Sequence, residues 1–98
     1  MLFRSRRLQD SDVRNPVVIA NIGILQAAQG RLPAAIATLT SALAADPNLD
    51  EARFNLAVAY AKSGRRVEAA AAAGELLARL PKTAPQRAEV ERLLAAVR

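Results

Sequence analysis

Three observations predict an all-α fold, a helical-repeat α-solenoid of two antiparallel helix hairpins plus a capping helix. First, Pro47 and Pro81 lie 34 residues apart, as do Gly30 and Gly64, and Asn21 and Asn55. A fixed period of this size means one supersecondary unit used twice, each copy covering its neighbour's apolar face. Second, 52% of the 98 residues are apolar, but Ala and Leu dominate and the aromatics are Phe3, Phe54 and Tyr60. Ala and Leu favour helices, whereas a strand-rich fold draws on β-branched and aromatic residues. Third, apolar residues recur at helical spacing between Gly and Pro breaks. A core built on Ala buries little area per side chain, so moderate stability is expected.

Residues Met1 to Asn15 show no sustained helical period. Leu2, Phe3 and Leu8 form at most one amphipathic turn, diluted by Ser5, Asp10, Ser11 and Asp12. The segment reads as a basic arm, disordered or the stub of something longer. The domain proper spans 16–98, with repeats over 16–49 and 50–83 and a capping helix over 84–98. Val17 to Gln29 reads as the first helix, with Val18, Ile19, Ile22, Ile24 and Leu25 as its apolar residues. Gly30 ends it by taking the left-handed conformation after a helix. Pro33 suits the first turn of a second helix, where its missing N–H is no loss. That helix carries Ile36, Leu39 and Leu43 on one stripe and runs to about Ala45 before Asp46-Pro47-Asn48 breaks it.

Asp50 then reads as the N-cap of a third helix, with Phe54, Leu56, Val58 and Tyr60 on its apolar faces and Gly64 as its end. Val67 to Leu80 reads as the fourth helix, terminated by Pro81. Ala84 to Arg98 places Val90, Leu93, Leu94 and Val97 at helical spacing, and Pro85 fits its first turn.

Composition removes several kinds of chemistry. The chain has no cysteine and no histidine, which excludes disulfides, thiol catalysis, the usual zinc sites and the commonest general base. Its Gly residues end or line helices and form no phosphate-cradling run. The carboxylates are scattered, and the nearest pair on the last helix, Glu89 and Glu91, cannot face one another at that spacing. No enzyme activity and no cofactor or metal are expected. The net charge of +5 reflects Arg4, Arg6, Arg7 and Arg14; without them the chain is close to neutral. Those arginines invite an anionic partner, but no aromatics interleave with them for base stacking, which argues against nucleic acid. The longest uncharged stretch, Pro16 to Gly30, is too short and too polar for a membrane span. The reading is a soluble protein, cytoplasmic or periplasmic.

These residues resemble the tetratricopeptide repeat, a helix–turn–helix unit of 34 residues. In the second copy, Arg53-Phe54-Asn55-Leu56-Ala57-Val58-Ala59-Tyr60 looks like the family's first helix. Gly64-Arg65 takes the turn, Ala69 the close helix contact, Leu76-Leu77 the end of the second helix and Pro81 the exit. In the first copy, Asn21-Ile22-Gly23, Gly30, Ala35-Ile36, Leu39, Ala42-Leu43 and Asp46-Pro47-Asn48 match the same places. Gly23 and Ala57 are expected to be small because the partner helix crosses there, with Ala35 and Ala69 as the reciprocal small residues. Two positions depart from the family pattern. The large aromatic near the start of the first helix is Ile19 or Arg53, and the one in the middle of the second helix is Leu39 or only Ala73. The latter predicts looser packing in the fourth helix.

The resemblance implies a concave face, lined by the first helix of each hairpin, that holds an extended or helical peptide. It would carry Asn21, Ile24 and Ala28 from the first repeat. The second would add Glu51, Phe54, Asn55, Val58 and Lys62, and the last helix Glu89 and Arg92. Asn21 and Asn55 can donate to and accept from a peptide backbone; Phe54 is a candidate aromatic anchor. The two-carboxylate clamp of some chaperone-binding members needs a basic residue and an Asn where this chain has Ala20 and Ile24. Only Asn55 fits, which argues against an acidic chaperone tail as ligand. The expected function is a non-catalytic protein–protein interaction scaffold that binds a peptide or protein segment. The alternatives are a self-assembling module, with a homo-oligomer as partner, or a fragment of a larger bacterial envelope protein. The tail from Leu80 to Arg87 is similar to those of bacterial envelope repeat proteins, including assembly factors for c-type cytochromes.

Overall fold

The structure, a computed structural model, describes residues 15–98; the expectations for Met1 to Arg14 lie outside the described residues. Asn15 is joined to the first helix. Its side chain accepts a hydrogen bond from the Val17 N–H at 2.9 Å, capping α1 (Pro16–Ala28) and satisfying one of the donors a helix start leaves unpaired. α1 packs antiparallel against α2 (Leu32–Ala45), and α3 (Asp50–Lys62) against α4 (Arg66–Arg79); α2 also packs on α3, and α5 (Arg87–Val97) closes the stack on α4. No strand occurs among the described residues.

The two hairpin turns are built alike. After α1, the Gly30 N–H donates to the Ala27 carbonyl at 3.0 Å and the Arg31 N–H to Gln26 at 2.9 Å. After α3, Gly64 donates to Ala61 at 3.1 Å and Arg65 to Tyr60 at 2.9 Å. These paired bonds satisfy the last helical carbonyls, and they require a left-handed residue after the cap. Gly30 and Gly64 supply it, with φ of 79° and 78°. Beside the second turn, the Arg65 guanidinium grips Glu68 through Nε and Nη2 at 3.2 and 2.9 Å. That hydrogen bond holds the exposed Glu68 carboxyl below its ordinary range.

Two sequence expectations need correction. Asp50 is the first residue inside α3, not its cap; Leu49 holds the cap position without a side-chain bond. The Asp50 carboxylate instead accepts from Arg79 Nε at 3.2 Å, so a tertiary partner outweighs local capping. The last helix begins at Arg87 and not at Ala84, because Pro81 to Gln86 form successive turns, with Ala84 donating to Pro81 at 3.0 Å and Arg87 to Ala84 at 3.2 Å. Ala73 is fully buried.

Two core clusters explain the stacking. Ala20, Leu39, Ala42, Ala52 and Leu56 form the first, between the hairpins; Ala57, Ala73, Leu76, Leu80 and Val90 form the second, beneath α5. The same crossing is solved differently in each hairpin. Gly23 lies against Leu39, and a Cβ added to Gly23 would sit 2.7 Å from Leu39 Cγ and 3.3 Å from its backbone nitrogen. One period later, Ala57 and Ala73 share the job, both fully buried. A Cβ added to Gly74, by contrast, would meet nothing within 4 Å. Alanine is the better helix former by about 1 kcal/mol. Gly74→Ala is therefore expected to raise the thermal midpoint, while Gly23→Ala lowers it in spite of that gain, because buried Leu39 has no room to retreat. Circular-dichroism melts check the pair, and equal shifts would mean that the α1–α2 crossing is loose.

Arg53 stands where the family favours an aromatic. Its side chain is only 12% exposed, and its two terminal nitrogens donate to Glu75 Oε1 at 2.8 Å and to the Pro47 carbonyl at 2.7 Å. The packed stem fills the space of a ring, and the guanidinium ties the inter-repeat turn to α4.

Candidate functional site

A cleft of about 380 Å³ opens between α3, the C-terminal end of α4 and α5. Its apolar floor is Phe54, Leu76, Leu80 and Val90. Asp50, Glu51, Asn55, Gln86 and Glu89 form the polar rim. The far wall is held by Arg87, whose Nη1 donates to the carbonyls of Leu77 and Leu80 at 3.0 and 3.1 Å. These are orphan carbonyls at the end of α4, so the bond both caps that helix and fixes the approach of α5.

Of the ten sequence-predicted residues, Glu51, Phe54, Asn55 and Glu89 come together around this cleft. Asn21 and Ala28 are exposed on α1, Lys62 and Arg92 are exposed on α3 and α5, and Val58 is half-buried on α3; none of these lines the cleft. Ile24 packs on the first core cluster. The cleft also uses Asp50, Leu76, Leu80, Gln86 and Val90, which the sequence presents as helix starts, helix ends and core stripe. Periodicity marks a residue as inward-facing but does not say whether another helix or a groove lies beyond it.

The polar groups have distinct availabilities. Asn55 Nδ2 donates back to the Glu51 carbonyl at 2.8 Å, which orients the amide along α3 and leaves its Oδ1 and one N–H for a ligand. Asp50 is neutralised by Arg79, which also donates to Asn48 Oδ1 at 2.9 Å. Glu51 and Glu89 pair with no cation among the described residues. The three charged groups on the rim are all carboxylates, in a chain of net charge +5. A second, shallower depression of about 240 Å³ lies over Leu56 and Tyr60 on the other side of α3. Its carboxylates, Glu68 and Glu75, are each engaged by an arginine.

The described residues contain no group of three or more metal-ligating side chains. No helix among them is long and apolar enough to cross a membrane.

The sequence profile of the tetratricopeptide repeat matches residues 26–97, from the end of α1 through α2, the whole second hairpin and the last helix. The chain belongs to the tetratricopeptide repeat family. Repeats of this family generally mediate protein–protein interaction and are generally non-catalytic. No curated protein matches the chain.

Proposed function

We propose that this tetratricopeptide repeat protein is a non-catalytic scaffold that holds a peptide or protein segment in the cleft between α3 and α5. The observation that carries this reading is the pairing of an apolar floor with an open polar rim. Phe54, Leu76, Leu80 and Val90 offer a site for a buried apolar side chain. A cleft of this size takes one or two large side chains, in keeping with an apolar or helical segment laid along α3. Asn55 supplies the backbone-reading amide, and Glu51 with Glu89 favours cationic neighbours on the segment.

Peptides selected from a random display library against the full chain test the reading. Phe54→Ala is expected to weaken a selected peptide about tenfold, the range for losing a central aromatic anchor, with helical circular dichroism unchanged. Selected peptides that bind Phe54→Ala as tightly as the parent chain would remove the cleft as the binding site.

A further inference from the structure

Residues related by the 34-residue period meet different fates in the two hairpins. Leu56 is 8% exposed and Ala59 fully buried on α3, and Leu56 shares its core cluster with Leu39 and Ala42 of the preceding helix. Their counterparts on α1, Ile22 and Leu25, are 43% and 58% exposed. The face that α3 buries against a neighbouring helix is thus left open on α1 among the described residues.

The composition of that face points to what covers it. Val18, Ile22, Leu25 and Gln29 follow one another at steps of four, three and four residues, the spacing of a seam that meshes with a second helix of the same kind. The first hairpin, Pro16 to Ala45, carries a single charged side chain, Arg31, and α1 carries none. Two copies can therefore bring α1 to α1 with no like charges opposed along the helix itself. At the other end of the described stack, α5 packs on α4 with Val90 and Val97 buried.

We propose that α1 is a self-association face, and that two copies pair α1 against α1 about a two-fold axis through the Ile22/Leu25 seam. Such an isologous contact closes on itself and yields a dimer, not a filament. A helix of this length is roughly 20 Å long, so the contact falls short of the ~800 Å² per partner of a standard interface. The dimer is accordingly weak and concentration-dependent.

Sedimentation equilibrium of the full chain, from about 10 μM to 1 mM, tests the proposal; these concentrations suit the affinity of a small interface. The weight-average mass is expected to climb toward twice that of the monomer. Leu25→Glu, at an exposed position that tolerates charge, should hold the chain at monomer mass with unchanged helicity, and Leu25→Gln should shift the curve partway. Val67→Glu, on an exposed site of α4, should leave association intact. A parent chain that stays monomeric throughout, or Leu25 variants that associate as readily as the parent, would overturn the assignment.

Discussion

Replacing Leu39 with alanine is expected to lower stability by about 2–5 kcal/mol, the range for truncating a fully buried leucine. Leu39 is completely excluded from solvent, lies against Gly23 at the α1–α2 crossing, and joins the cluster that binds the hairpins together. One truncation therefore weakens both the first hairpin and its contact with the second. A domain of this size has a total stability on the order of 5–10 kcal/mol, so the loss would remove a large share of it. Urea unfolding of the full chain measures the effect. Gly23 makes the prediction sharper: the double variant Gly23→Ala/Leu39→Ala reproduces in the first hairpin the Ala57/Ala73 pairing of the second. Its loss should be smaller than the sum of the single losses, because the new Cβ occupies space that the leucine vacates. Strict additivity would mean that Gly23 and Leu39 do not share one packing site.

Most of the fold was legible because its boundaries are written in residues whose backbone preferences are strong. Gly30 and Gly64 take the left-handed turn positions, and Pro33, Pro47 and Pro81 mark starts and exits, so the helix pattern follows from local rules alone. What escaped depends on partners distant in sequence. Asp50 has a capping side chain, yet Arg79, 29 residues away, claims it. Arg53 breaks the family's aromatic preference, and its bonds to Pro47 and Glu75 cannot be inferred from its neighbours. Asn15 was hidden differently: it follows Arg14 and precedes a proline, so its role as a cap emerges only with the Val17 bond. The candidate cleft was half legible. Glu51, Phe54 and Asn55 followed from the family's use of its inner helices and Glu89 from the last helix that closes them, while Leu76, Leu80 and Val90 look identical to core residues at the level of spacing.

Ala57→Leu is expected to lower stability by about 1–3 kcal/mol through overpacking. Ala57 is fully buried at the α3–α4 crossing, and Ala73 and Leu76 belong to the same cluster. A small residue is needed there because the helices approach closely, and added branches must displace either α4 or the leucines beneath α5. For a domain of this length, each kcal/mol corresponds to roughly 4–8 °C in melting temperature, so the shift is readily seen by circular dichroism. The same variant separates two ways in which the repeats are built. If the α3–α4 crossing were held only by its turn, the hairpin would splay and the melt would barely move. If it is held by the Ala57/Ala73 contact, splaying also lifts α5, because Val90 rests on that cluster. The cleft floored by Phe54, Leu76, Leu80 and Val90 would then widen, and peptide affinity would fall together with stability. A melt unchanged from the parent would place Ala57 away from the crossing and undo the register on which the cleft depends.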